Sequence, residues 1–445
     1  MKPTITVLGL MLTPLWAQSP LSLRDAVRAA LANNKSLVAS AAGEKAAEER
    51  IAQAQSGRLP KVNFSESFTR SDNPVFVFGT LLTQQRFGPG NFEINALNRP
   101  DAINNFQSMV TVDQPLWDAG QTRHAVRSAE LAHGMSGEEK RRAELNVIAG
   151  VVRAYYGAVM SAESLNTARE AMKSAQADLR RADTVRAAGM STDVDVLSIR
   201  VHLAAVNEQQ IRRAADLEVA RAALNEVLGL PLDTPHDLST GLAPIPLPDF
   251  ELADYERNAV EKRPETRESR LAASLARVQA DAARTAFLPQ VGVRAAWEAD
   301  RRRFWNGAGT NWLAAVSLRW NLFNGFADKA RVRETAHWLR RAEAEQERAG
   351  SGARLQVRRA WADLGAAQQR IEVARAAMAE AEESLRITQN RYEAGLSNVT
   401  DLLRNETAVL ESRTRYLAAV HDQRIAAVML EFAAGTLSPQ SEVLN

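Results

Sequence analysis

The chain has 445 residues, 45% hydrophobic and 24% charged, enough for two or three ordinary domains or one very elongated one. Its 55 basic and 53 acidic residues leave a formal net charge of +2 and are interleaved, which excludes the basic face of a nucleic-acid binder. The absence of cysteine excludes disulfide frameworks, thiolate metal sites, cysteine nucleophiles and cysteine-linked lipid anchors, and the 6% aromatic share points to long helices with small-residue packing.

Residues 1–17 read as a cleavable export signal, with Lys2, a short apolar run from Ile5 to Leu15, and Trp16-Ala17 before Gln18-Ser19-Pro20. The run is too short to cross a bilayer, and no later segment has about 18 consecutive apolar residues. A first structural repeat is expected over 18–230. It starts with a helix, and Leu59-Pro60 then precedes a strand in which Val62, Phe64 and Phe68 alternate while Glu66 breaks the apolar face. Val110 and Val112 mark a second strand. The enlarged loop at 72–104 between them carries Val75-Phe76-Val77-Phe78 and Arg86-Phe87. Exposed apolar runs are a liability, so this loop is expected to fold inward or against neighbouring loops.

No proline lies between Pro115 and Pro231, or between Pro289 and Pro439, which permits very long helices. Val151, Ala158, Leu165, Met172 and Leu179 recur every seven residues, with Ala154, Ser161, Ala168, Ala175 and Ala182 as a small-residue companion series. A tip at 188–191 turns this rod at Gly189, where a left-handed cap ends one helix and lets Met190 fold back on it. Thr192 and Asp195 then offer an N-cap and an acidic residue three positions on.

Pro231 to Phe250 reads as a proline-rich linker, after which the pattern repeats over 251–435, leaving a tail at 436–445. Val151 to Gly229 aligns without gaps to Val357 to Gly435 at a shift of 206. Leu59-Pro60 matches Leu288-Pro289, and Asp118-Ala119-Gly120 is set against Phe323-Asn324-Gly325. Sixty residues separate Pro60 from Gly120 but 36 separate Pro289 from Gly325, so the first half carries 24 more there. The second strands alternate more cleanly: Val291, Val293, Ala295 and Trp297, then Trp312, Ala314, Val316, Leu318 and Trp320. The second rod is expected from about Ala327 to Glu393, about 100 Å at 1.5 Å per residue, with a seam of Val357, Leu364, Ile371, Met378, Leu385 and Tyr392. Its tip lies at 394–397, where Leu396 is expected to fold back in the same way, followed by Asn398 and Asp401.

Period-two alternation over about ten residues fits a membrane β-strand, and it also fits a half-buried soluble hairpin. Closure separates the two. Four strands cannot close a lipid-embedded barrel, whereas three copies supply twelve.

With these features the chain resembles the TolC-like outer-membrane efflux proteins. The resemblance rests on the Leu-Pro before each first strand, on Gln114-Pro115-Leu116-Trp117-Asp118-Ala119-Gly120 and Trp320-Asn321-Leu322-Phe323-Asn324-Gly325, and on the tips Val185 to Ser191 and Arg391 to Ser397. It implies an α+β membrane protein. A homotrimeric, twelve-stranded outer-membrane β-barrel, four strands per chain, would be continued by an α-helical coiled-coil barrel in the periplasm. It also implies a passive exit duct for efflux or type I secretion, loaded by a periplasmic adaptor (membrane fusion) protein and an inner-membrane RND or ABC-type transporter, with outer-membrane lipid around the barrel.

By the same resemblance, Asp401 lines the periplasmic aperture, with Asp195 as its counterpart in the first repeat. As a plainer role, both acids suit helix N-termini. Tyr392 takes the place of the family's tyrosine before the tip. Ser397 stands where a basic residue is usual and Arg404 where a second acid is, so a lock would pair Asp401 with Arg404. Gly189, Met190, Ser191, Gly395, Leu396 and Ser397 would meet the adaptor. Arg301, Arg302 and Arg303 are placed in an outer loop, solvated or facing lipid phosphates. The six histidines show no paired spacing with carboxylates, and no HExxH, GxSxG or phosphate-loop pattern occurs, so neither catalysis nor a cofactor is implied. The alternative is a secreted coiled-coil spacer or adhesin without a pore.

Overall fold

The structure is a computed structural model that describes residues 20–189, 191–246, 251–305 and 307–445. The expected export signal and Met190 lie outside them, as do residues 247–250 of the linker. In chain order the elements are α1 (Leu23–Asn33), α2 (Lys35–Gln55), β1 (Lys61–Ser71), α3 (Pro74–Thr83), α4 (Ile94–Asn98), β2 (Ile103–Trp117), α5 (Gln121–Ala187) and α6 (Asp193–Leu228). They continue with α7 (Leu252–Lys262), α8 (Pro264–Arg284), β3 (Gln290–Arg301), β4 (Gly309–Arg319), α9 (Ala327–Glu393) and α10 (Val399–Ala434). The rods α5 and α9 have 67 residues each and the return helices α6 and α10 have 36, all at the 206-residue shift.

The chain divides into two compact units. The first comprises residues up to 41, 138–267 and 348–445 and is helical. Its largest core sets Leu23, Val27 and Ala30 of α1 against Val151, Val152, Tyr155 and Ala158 of α5 and Leu224 and Leu228 of α6. By composition an 18-residue window of α5 is apolar enough to cross a membrane, but half of that window is buried in protein. The heptad seams are the contact faces: Val151, Ala158, Ala168, Ala175 and Ala182 are buried in one hairpin, and Val357, Leu364 and Ile371 in the other. Both return helices end on a left-handed glycine, Gly229 and Gly435. The segment after α6 packs on this core: Thr240 N–H donates to the Tyr155 hydroxyl at 2.9 Å, and that hydroxyl donates to Leu21 O at 2.8 Å.

The second unit, residues 42–137 and 268–347, holds one antiparallel sheet in the order β1-β2-β3-β4. In-register pairing lines up Phe64, Val110, Trp297 and Trp312 on one face, flanked by Val62, Val112, Ala295 and Ala314. This apolar face is exposed, with Trp312 81% accessible. The opposite face presents Asn63, Thr111 and Ala296, and then Gln107, Glu298 and Asn311, with an Asp113–Arg294 ion pair at 2.7 Å.

Glu66, which interrupts the apolar face of β1, is neutralised there by Arg301 at 2.8 Å, with Ser108 bonded between them. Arg301 is thus the last residue of β3 rather than part of an outer loop; Arg302 and Arg303 remain exposed. The enlarged loop forms α3 and α4. Phe78, Phe87 and Phe92 stack edge to face, and Gln84 donates to Asn104 O and Asn105 Oδ1 at 2.9 Å each. The loop is tied to the sheet's end through Gln84, while Val77 is buried and Val75, Leu82, Phe92 and Ile94 stay exposed, so the expected inward folding of its apolar runs is only partial.

The junction between strand and rod corrects one alignment. Ala119 and Gly120 are left-handed (φ 56° and 85°), and so are Gly325 and Phe326 (φ 68° and 67°). Asp118 accepts from the Thr122 N–H, and Asn324 accepts from the Asp328 N–H in the same relation. Asp118 is thus equivalent to Asn324 at the shift of 206, one residue away from the glycine-on-glycine match. The side-chain cap, not the glycine, marks the equivalent position.

Candidate aperture at the helical tips

The second tip closes by two backbone bonds. Gly395 (φ 71°) donates to Tyr392 O at 3.0 Å, and Leu396 N–H donates to Arg391 O at 2.8 Å. The expected fold-back of Leu396 does not occur: the side chain is 69% exposed. The residues it would meet, Arg391 and Asn390, are polar and offer no apolar contact. At the first tip Gly189 (φ 72°) donates to Arg186 O at 2.9 Å. Ser191 and Ser397 are half-buried beside the exposed glycines.

The two acids after the tips differ. Asp195 completes a capping box: its carboxylate accepts from Thr192 N–H at 3.0 Å, from the Thr192 hydroxyl at 2.9 Å and from Ser191 Oγ at 3.0 Å. These bonds, led by the Thr192 backbone, hold its carboxyl below the usual range. At Asp401 only half the arrangement forms. Its N–H donates to Asn398 Oδ1 at 2.8 Å, while its half-buried carboxylate accepts no hydrogen bond among the described residues. Arg404 is exposed and makes no ion pair with Asp401 among the described residues.

Tyr392 is 8% exposed and packs with Ala182, Val196, Ile199, Val399 and Leu402, so it sits between the two hairpins of one chain. Among the described residues its hydroxyl is buried without a hydrogen-bond partner, and burial, then the charge of Asp195, pushes its pKa up.

About three turns behind the tips lies a group that sequence spacing did not mark. Asp178 of α5 and Glu406 of α10 are buried together, and His202 Nε2 of α6 stands 3.2 Å from Glu406 Oε2. The histidine–carboxylate pairing runs between helices, so no spacing within one helix reveals it. A signal existed in the duplication. At the shift of 206, Asp178 falls on Ser384, Glu406 on Arg200 and His202 on Ala408, so the duplication does not repeat this acid–histidine group.

The sheet offers two unpaired edges and an exposed apolar face, and the rods end in capped tips. The sequence profile of the outer membrane efflux proteins matches residues 26–230 and 257–436. The chain belongs to this outer membrane efflux protein family. It is 30% identical over 347 residues to Protein CyaE of Bordetella pertussis, covering 76% of this chain and 72% of that one. It is 24% identical over 432 residues to the alkaline protease secretion protein AprF of Pseudomonas aeruginosa, covering 94% and 85%. Among solved structures it is similar to the Campylobacter jejuni CmeC outer membrane channel, with a TM-score of 0.78, 19% identity and coverage of 95% and 87%.

This efflux-family channel is an outer-membrane conduit, and a poreless spacer is set aside. Its fold is the trimeric one, in which three four-stranded sheets close a barrel that long helices continue into the periplasm. In a membrane barrel, period-two alternation of this kind turns the apolar face, here with Phe64, Trp297 and Trp312, toward lipid and the polar face, here with Asp113, Arg294 and Glu298, toward the lumen.

Proposed function

We propose that this chain is the outer duct of a tripartite machine. A periplasmic adaptor seats on its two tips, and an inner-membrane transporter of RND or ABC type supplies the energy. The observation that supports a gated tip is the asymmetry between the two acids. Asp195 spends its carboxylate on the helix cap, whereas Asp401 keeps its own uncommitted. Three Asp401 copies around a threefold axis form a cation-attracting constriction, with Tyr392 setting the packing behind it. Leu396, exposed on a turn, supplies an apolar contact for the adaptor, and Gly189, Ser191, Gly395 and Ser397 let another backbone approach.

The test is planar-bilayer recording of Asp401→Ala trimers. Raised conductance or weaker cation preference is expected. Currents and selectivity identical to wild type would remove Asp401 from the aperture.

A further inference from the structure

The buried acids behind the tips join both hairpins. Asp178 is 1% exposed and Glu406 8%, and their carboxyl groups lie within hydrogen-bonding reach of each other. Glu406 Oε1 accepts from Ser174 Oγ of α5 at 2.8 Å, and its Oε2 faces His202 of α6. Asp178 Oδ1 accepts from Arg181 Nη1 at 2.8 Å, and the same guanidinium reaches Glu393 of α9 through Nη2 at 3.0 Å. All four helices of the two hairpins therefore contribute a titratable group. Farther out, Tyr392 of α9 and Asp195 of α6 act on one another and on this group electrostatically. Arg413 of α10, at the wall of a cavity of about 230 Å³ beside Glu406, is held by Glu382.

Among the described residues Asp178 Oδ2 is buried with no hydrogen-bond donor, and Glu406 Oε2 is buried with only the His202 ring nitrogen, 3.2 Å away, beside it. They belong to the two facing carboxyls. One proton between them satisfies both, whereas two bare carboxylates this close, shielded from water, repel. Arg181 does not relieve the repulsion alone, because it is divided between Asp178 and Glu393.

We propose that Asp178 and Glu406 share one proton that fastens the first hairpin to the second, and that loss of this proton frees the tips to part. Both are positioning residues for the aperture. The inference rests on the reading of the tips as the gated end of the duct.

Burial, then the neighbouring Glu406, pushes the Asp178 carboxyl up to about 8. Burial also pushes Glu406 up, but hydrogen bonds from His202, Asp178 and Ser174 hold it below its ordinary value. A raised folded pKa gives stabilisation that is full below the unfolded value and lost as pH rises through the folded one. A depressed pKa gives stabilisation lost only as pH falls through it. The fastening is therefore intact across acidic and neutral pH down to the titration of Glu406, and it fails on the alkaline side.

The test uses full-length trimers in planar bilayers, with the periplasmic side taken from about pH 6 to about pH 10. Wild-type conductance should rise several-fold as that side passes about pH 8. Asp178→Asn should stay at the neutral-pH level throughout, since its amide donates to Glu406 at every pH. Glu406→Gln serves if the first variant fails to trimerise on a native gel, and should be equally flat. Asp178→Asn that keeps the wild-type rise overturns the proposal. Infrared spectra of the same samples read the proton directly, as a carboxylic acid C=O band present in neutral wild type and absent from Asp178→Asn. No such band in wild type refutes the shared proton. A band that titrates as expected beside a flat wild-type conductance refutes the link to the aperture and puts the failure in the gate reading.

Discussion

Arg301 reaches over β2 to hold Glu66, its Nη2 lying 2.8 and 3.0 Å from the two carboxylate oxygens although their strands are not neighbours in the sheet. On the lipid side of a barrel this is a compensated pair. Removing Arg301 leaves a carboxylate on an apolar face, at a cost of about 1–3 kcal/mol. Arg301→Ala should therefore lower the temperature at which detergent-solubilised trimers dissociate. Glu66→Gln should lower it less, because the neutral amide still bonds Ser108 and Arg301 can extend toward headgroups. Equal losses from both variants would show that the pair does not compensate.

Gly395 and Gly435 share a left-handed backbone, with φ of 71° and 70°, in opposite surroundings. A Cβ on Gly395 meets nothing within 4 Å, while one on Gly435 falls 2.8 Å from Arg263 Cα and 2.9 Å from its nitrogen. Gly395→Ala should cost about 1 kcal/mol, the backbone penalty alone, and assemble normally. Gly435→Ala must also displace the end of α7 at Lys262 and Arg263 and should lose most trimer on a native gel. Comparable yields would contradict the close approach.

The capping box at Thr192 should give its helix start more protection than the single bond at Asn398. Thr192→Ala is expected to cost about 1 kcal/mol, read as faster hydrogen exchange in residues 193–198. Because the Asp195 carboxyl is held low, its contribution is present above the unfolded pKa and lost as pH falls through the folded one. Wild-type protection there should consequently fade in acid below about pH 4. Protection that is indifferent to acid would argue against the carboxylate's part in the cap.

Leu396→Glu changes an exposed side chain on a turn and should leave trimers intact. Co-purification of a periplasmic adaptor should drop by an order of magnitude or more. Undiminished capture would move the docking contact elsewhere.

What could be read in the sequence was what repeats. The rods follow from heptads and proline gaps, and the 206-residue shift carried the α9 boundaries from Ala327 to Glu393. The tip glycines follow from helix termination, a local rule. The features that were hidden depend on partners distant in the chain. Glu66 read as a defect because its compensating Arg301 lies two strands away. Asp178 and Glu406 sit on helices of different hairpins, so no window along the chain shows them together. The strand-to-rod junction misled for a local reason: left-handed Ala119 and Phe326 are tolerated where glycine is the usual marker, because Asp118 and Asn324 cap the helix starts.

The sheet of one chain ends on two open edges, β1 and β4, so each protomer supplies both halves of a seam and completes neither alone. A subunit with a spoiled edge, for instance through a proline in the middle of β1, still offers a sound β4 to a neighbour. In a cell making both forms, the fraction of wholly intact pores would fall as the cube of the intact fraction of subunits. Such an allele would be dominant, and the remedy would lie in the stoichiometry of synthesis rather than in the membrane.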